Sequence, residues 1–395
     1  MGFIDCDTHV LETEATWDYM DPSERHFRPA AVEFLPDNTP GQSKGIPINK
    51  TMWLVGDTFA RLFPSDGRPG GYGKEYDEAV GFLTDPARRV QDMDLLGVDV
   101  HVVISTFFIS VDIDHPLAEA AIARSWNRFA AERCAGGGGR LRWLVVPPTR
   151  MMDRAIAELE FGREHGAVGV MIKGYEHGLY LDDPYFYPLY EKAQDLDMPI
   201  CIHSGASLRR VGDVPIGNLL RTQAAIVDHL GYVMKGMWAV VTSDLDRRFP
   251  RLRFAFLESG STWVPTVFQQ QQRLWSTSDA DHYRTTSKGT TVDITKLPVA
   301  EMMEQKGIYV ACESDEDLAY LTSMVGPNQL VFGSDYAHND AGGDPLGHSL
   351  IVNRTDLAAN VSRSIVDTNG RALFGIPADY RPADEALARS SAAKG

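Results

Sequence analysis

The sequence predicts an α/β fold, a closed (β/α)8 barrel, on three observations. Eight short apolar runs recur along its 395 residues, helical stretches separate them, and no phosphate-binding glycine motif follows any of them. Near-continuous apolar strands alternating with helices indicate a parallel sheet covered on both faces, and eight such strands favour closure. An open doubly wound sheet is the alternative. Without GxGxxG, GxxxxGKS or GxxxxGKT, nucleotide binding has no support.

The first run, Phe3 to Asp7, leads directly into His9. Residues 11 to 85 are polar and rich in Pro, Gly and aromatics, with no sustained period, and read as a long insertion after this strand. Trp17, Tyr19, Trp53, Phe59, Phe63, Tyr72 and Tyr76 give it apolar surface to pack on a pocket mouth or on another subunit; a partly ordered insertion is the plainer reading. Asp85-Pro86 then caps a helix over Arg88 to Leu96, with Asp at the N-cap and Pro at the first helical position, and Gly97 stops it. The strand Val98 to Ile104 follows. Leu117 to Ala135 precedes the strand Leu141 to Val146, Met152 to His165 precedes Val168 to Lys173, and Pro184 to Asp197 precedes Pro199 to His203. The last three strands are Arg253 to Glu258, Ile308 to Cys312 and Leu330 to Ser334. Leu346 to Leu373 reads as a C-terminal helical extension of two helices. From Pro377 onward Pro, Ala, Ser and charge dominate, so a single domain over 1–380 with a tail over 381–395 is expected.

Composition narrows the function. Hydrophobic residues make up 44% of the chain, enough for a large core. The net charge of −16 argues against nucleic acid or an anionic membrane as partner, since both require a surplus of Lys and Arg. Cys6, Cys134, Cys201 and Cys312 are scattered without a CxxC pair and read as reduced core residues. No secretory leader pattern and no run of 18 apolar residues is present, so a soluble cytoplasmic protein is expected.

In such a barrel the chemistry lies at the C-terminal ends of the strands. Alternate residues of a strand share a face, so Asp7 and His9 project together, as two ligands of one metal must. A structural pair in which Asp7 only orients His9 is the plainer reading. The later tips repeat the pattern: Lys173 ends the fourth strand, His203 the fifth, Glu258 the sixth, Glu313 the seventh, and Asp335 the eighth, with His338 just beyond. A divalent ion leaves water only where several acidic or imidazole groups replace it, which is what such convergence supplies.

The chain also resembles a known family. Asp5-Cys6-Asp7-Thr8-His9-Val10-Leu11-Glu12, Arg89-Val90-Gln91-Asp92-Met93-Asp94 with Gly97-Val98-Asp99, and Pro199-Ile200-Cys201-Ile202-His203-Ser204-Gly205 carry the likeness. So do Phe249-Pro250-Arg251-Leu252 leading to Glu258-Ser259-Gly260-Ser261-Thr262-Trp263, and Phe332-Gly333-Ser334-Asp335-Tyr336-Ala337-His338. These stretches resemble the amidohydrolase-related, metal-dependent TIM barrels that include aminocarboxymuconate-semialdehyde and γ-resorcylate decarboxylases. The resemblance implies metal ligands at Asp7, His9, His203 and Asp335. It departs at Glu258, where many decarboxylases of the group have His, and at Asp7, where His or Glu is common. With Glu258 and His338 added, the set holds three carboxylates, which can bridge two ions and favour harder metals such as Mn or Fe over a lone Zn.

The resemblance implies hydrolysis or decarboxylation of a small carboxylate-bearing substrate through Zn or Mn, with Asp335, His338 or His229 moving the proton. His229 lies in an apolar stretch after the fifth strand, where the family often places a pocket histidine; a core histidine is the alternative. A minor branch implies a second reading, an Fe/Mn pair that activates dioxygen to hydroxylate a small acid or amino acid. A third is a structural subunit beside an active paralogue, and a homo-oligomer or such a hetero-oligomer is expected. Among the remaining candidates, Glu12 supports the ligand loop, and Lys173 matches the carboxylated lysine of other amidohydrolases but reads first as a salt bridge. Glu313, followed by Asp315, Glu316 and Asp317, reads as a solvated helix start. Arg209, Arg210 and Arg221 are candidates for a substrate carboxylate or plain surface charge.

Overall fold

A computed structural model describes residues 2–33, 51–56, 58–61, 70–71, 74–75, 77–203, 222–277, 283–285, 289–338, 343–377 and 380. Eight parallel strands form one sheet in sequence order: β1 Phe3–Val10, β2 Val98–Ser105, β3 Leu141–Val145, β4 Ala167–Lys173, β5 Ile200–His203, β6 Phe254–Leu257, β7 Ile308–Cys312 and β8 Leu330–Phe332. β8 returns to β1. The His9 amide donates to the Tyr336 carbonyl at 2.7 Å, and Thr8 and Tyr336 form a parallel bridge. Asp5 fastens the same seam from within, accepting from the Ser334 amide at 2.9 Å and pairing with its hydroxyl.

Helices fill the connections: α1 Pro86–Leu96, α2 Pro116–Ala135, α3 Met152–Glu164, α4 Tyr187–Asp195, α5 Thr222–Thr242, α6 Val264–Thr277, α7 Val299–Gln305 and α8 Leu318–Val325. The expected signals start and stop α1: Asp85 accepts from the Ala87 and Arg88 amides, and Gly97 takes the left-handed φ of 74° at its end. The chain closes with Gly347–Val352, Ala359–Arg363, a π-helical turn Ser364–Thr368 and Asn369–Phe374. Apolar residues of both sheet faces are buried, with every residue of β4 inside, as a sheet flanked by helices requires.

The stretch 11–85 has more regular structure than its lack of period predicts. Ala30–Glu33, Thr51–Val55 and Thr58–Arg61 pair as an antiparallel sheet. Trp17, fully buried, meets Trp53 edge-on at 5.8 Å and Phe107, just past β2, at 5.0 Å. That contact seats the insertion beside the mouth of the barrel, while Tyr19 packs on Phe129 of α2. Residues 63, 72, 76 and 381–395 and the side chain of Phe59 lie outside the described residues. All four cysteines are buried free thiols. Among the described residues, no helix is long and apolar enough to cross a membrane.

Candidate metal centre

The strand tips bring six side chains together. Asp7, His9, His203 and Glu258 form one set of candidate ligands, and His9, Glu258, Asp335 and His338 a second, each with its donor atoms within 4.8 Å of one another. His9 Nε2 lies 3.1 Å from Asp7 Oδ1, 3.2 Å from Asp335 Oδ1 and 3.7 Å from Glu258 Oε2. His203 Nε2 lies 3.1 Å from Glu258 Oε2 and 3.4 Å from Asp7 Oδ1. Two ligands bound to one ion at about 2.1 Å stand roughly 3.0 Å apart in octahedral and 3.4 Å apart in tetrahedral geometry, so most of these separations match edges of a coordination shell. Asp7 Oδ1 is buried without a hydrogen-bond partner among the described residues, as an oxygen meant for a cation would be. Mixed imidazole and carboxylate donors suit Mn, Fe or Zn.

Burial works to raise the pKa of Asp7, but the His203 and His9 imidazoles outweigh it and hold the carboxyl well below its usual range. Glu258 and Asp335 take left-handed φ values of 49° and 53°, and Ala337 follows at 78°. Ordinary L-residues are strained there, and the strain sits where strand turns to loop and the carboxylates must point inward.

The surroundings show how the set is held. His338 stacks on His9 with ring centroids 3.7 Å apart, and its Nδ1 lies 2.7 Å from Asp335 Oδ1. The Thr106 hydroxyl, just past β2, lies 2.9 Å from His338 Nε2 and 3.3 Å from His9 Nδ1. Arg89 of α1 donates to the His9 carbonyl at 2.8 Å, and Asp92 of the same helix accepts from the Tyr336 hydroxyl at 2.9 Å. The motif on α1 therefore braces the tips of β1 and β8. Glu316 accepts from the amides of Ser261, Thr262 and Glu313, fixing the loop that follows Glu258. Gly333 leaves room for Asp7, since a Cβ there would stand 2.6 Å from the Asp7 Cβ.

Thr106, Arg89 and Glu316 do not stand out in the sequence as site residues. A hydroxyl directly after a strand carries no acid or imidazole signal, and Glu316 is masked by its acidic neighbours. Glu12 ties down the segment around Thr106: its carboxylate accepts from the Phe107 amide at 2.8 Å and from the Ser105 hydroxyl, and burial raises its pKa to about 8. Lys173 donates to the Val111 carbonyl at 2.7 Å and lies 4.0 Å from Glu176 Oε2, a salt-bridge distance at its outer limit. Glu313 follows the end of β7 and its amide donates to Glu316. The His229 backbone lies in α5, but its side chain is outside the described residues, as are Arg209, Arg210 and Arg221.

Comparison with known proteins finds chains of the same fold. A gamma-resorcylate decarboxylase from Polaromonas sp. (strain JS666 / ATCC BAA-500) is 28% identical over 175 residues, 42% of this chain and 50% of that protein, so the match spans about half the relative's length. An amidohydrolase structure from Mycobacterium avium subsp. paratuberculosis K-10 superposes with TM-score 0.68 at 17% identity, covering 96% of this chain and 99% of the other. A dihydroxybenzoic acid decarboxylase structure from Polaromonas sp. JS666, with bound manganese, superposes with TM-score 0.61 at 17% identity, covering 95% and 97%. The family model described as amidohydrolase matches residues 86–376, most of the chain. The chain belongs to the amidohydrolase family.

Proposed function

We propose that this protein is a metal-dependent carboxy-lyase that removes carbon dioxide from a small aromatic or enol-type carboxylate. The carrying observation is the convergence of Asp7, His9, His203, Glu258, Asp335 and His338 at one end of the barrel. Decarboxylases among the relatives support the choice of reaction over hydrolysis, which the same groups could also serve. Asp7, His9, His203 and Glu258 would hold the ion, and a bound divalent ion would supply polarisation of a substrate oxygen. Asp335 and His338, 2.7 Å apart, hold and move the proton. As the bond to the carboxylate breaks, its electron pair stays on the substrate carbon, which takes the proton from this pair, and carbon dioxide leaves. Thr106 orients the His338 ring through Nε2, and the burial of His9, His203 and His338 keeps bulk water from the proton.

A second reading has its own observation. Two overlapping ligand sets share His9 and Glu258, the arrangement a pair of ions needs. That reading is a dinuclear Fe/Mn oxygenase acting on a small acid. Metal analysis with activity separates the two. One equivalent of Mn or Zn with carbon dioxide release from 2,6-dihydroxybenzoate or a related acid supports the lyase. Two equivalents including Fe, with substrate-dependent oxygen uptake and no carbon dioxide, would refute it in favour of the oxygenase. Purified protein that takes up no metal would refute both and favour a non-catalytic subunit.

A further inference from the structure

We propose that the cavity between the ends of β2, β3 and β4 is the subsite for an anionic head group of the substrate, with the Lys173 ammonium as its anchor. The candidate ligands come from the tips of β1, β5, β6 and β8 and the loop beyond, which leaves the other half of the barrel mouth for substrate. Val111 and Asp112 beyond β2, Pro147 and Thr149 beyond β3, and Lys173 and Glu176 at β4 line this cavity. Lys173 lies directly opposite His203 in the parallel ladder, so both side chains leave the sheet on one face. The subsite and the candidate metal centre are thus one strand apart on the same rim.

The cavity is small, about 30 Å³. A single water needs roughly 10–15 Å³ measured this way, so the space suits a group of two or three heavy atoms, such as a carboxylate, and not a ring. Phe108, Ile113 and Met171 give it apolar walls. The Lys173 side chain is 10% exposed. Its ammonium carries three donors, of which one goes to the Val111 carbonyl, and the nearby Glu176 Oε2 at 4.0 Å is beyond hydrogen-bond reach.

The carboxylates around it are already engaged. Asp112 pairs with Arg150 at 3.2 Å and lies 3.6 Å from His177 Nδ1; Glu119 accepts from the Arg150 amide at 2.9 Å; Glu176 Oε1 accepts from the Lys173 amide at 2.8 Å. Among the described residues, the ammonium protons beyond the one on Val111 meet no acceptor, and a buried cation needs its donors matched. Burial works against the Lys173 charge, but Glu176 and Asp112 outweigh it, so the cation persists.

The assignment deepens the proposed function, because it takes the substrate to be a carboxylate held beside the metal centre. The test is calorimetric titration of the full-length, Mn-loaded protein with benzoate and, as the uncharged analogue, benzamide. Lys173→Met should weaken benzoate at least tenfold, leave benzamide unchanged and keep the metal content of the wild type. Lys173→Gln, which retains a donor for Val111, should show the same selective loss and serves if the Met variant does not fold. His203→Gln, which removes a candidate metal ligand, should keep a benzoate affinity that Lys173→Met, combined with it, removes. Benzoate binding that survives in both Lys173 variants but vanishes in His203→Gln would overturn the proposal and place the carboxylate on the metal. Absence of benzoate binding in the wild type would overturn it as well. Lys173-dependent binding without carbon dioxide release would keep the subsite and discard the lyase.

Discussion

Replacement of Glu12 by Gln should make the protein more stable at alkaline pH, and the size of the effect follows from burial. Glu12 is 3% exposed, and its carboxyl is pushed from 4.5 to about 8 by loss of solvent, against hydrogen bonds from Ser105 and Phe107 that favour the charged form. With the folded pKa above the unfolded one, the folded protein keeps a proton between about pH 4.5 and 8 that the unfolded chain has released. Wild-type stability therefore falls as pH rises through that window and levels off above it. At about 1.36 kcal/mol per pH unit, the full loss is about 4 to 5 kcal/mol, an upper figure because local relaxation shrinks it. Gln keeps an acceptor for the Phe107 amide and has no proton to lose. Urea unfolding of both proteins, followed by tryptophan fluorescence from pH 5 to pH 9, should show nearly equal stabilities at the acid end and an advantage for Glu12→Gln that grows towards pH 8. A constant difference across the range, or a Gln variant that loses ground as pH rises, would refute the reasoning, since either means that Glu12 is ionised in the folded state.

Thr106→Val should retain the metal and lower turnover by about ten- to a hundredfold, because His338 and His9 lose the hydroxyl that orients them; metal analysis alongside steady-state kinetics checks both halves. His203→Gln should cut metal affinity by more than tenfold, measured by competition with a fluorescent chelator, with little change in the circular dichroism spectrum. Gly333→Ala should loosen the metal in the same assay and destabilise the fold by about 1 to 3 kcal/mol, since its methyl group would overlap Asp7. Unchanged metal affinity in that variant would mean that β8 and β1 can move apart.

Much of this architecture is written locally. The apolar runs that became β1 to β8 are short, and Asp85-Pro86 and Gly97 bound α1 as their side-chain and backbone chemistry demands. The tips were legible because barrels concentrate chemistry there, so Asp7, His9, His203, Glu258 and Asp335 stood out as polar ends of apolar segments and meet in space. Thr106 was not legible: its importance comes from a position between two rings supplied by residues 97 and 232 places away. Nor was the sheet in the insertion, whose strands are four or five residues long and too brief to show alternation. The Lys173 cavity is likewise a product of three separate loops, and no single stretch announces it.

The seam between β8 and β1 places the centre late in the life of the chain. His9 and Asp335 sit on opposite sides of that seam, and the His9 amide closes it on Tyr336. A ribosome must therefore extend synthesis past residue 338 before Asp335 and His338 can meet Asp7 and His9, which until then wait beside an open edge. On the proposed reading the proton pair is the last part of the centre to arrive, after the four groups that would hold an ion.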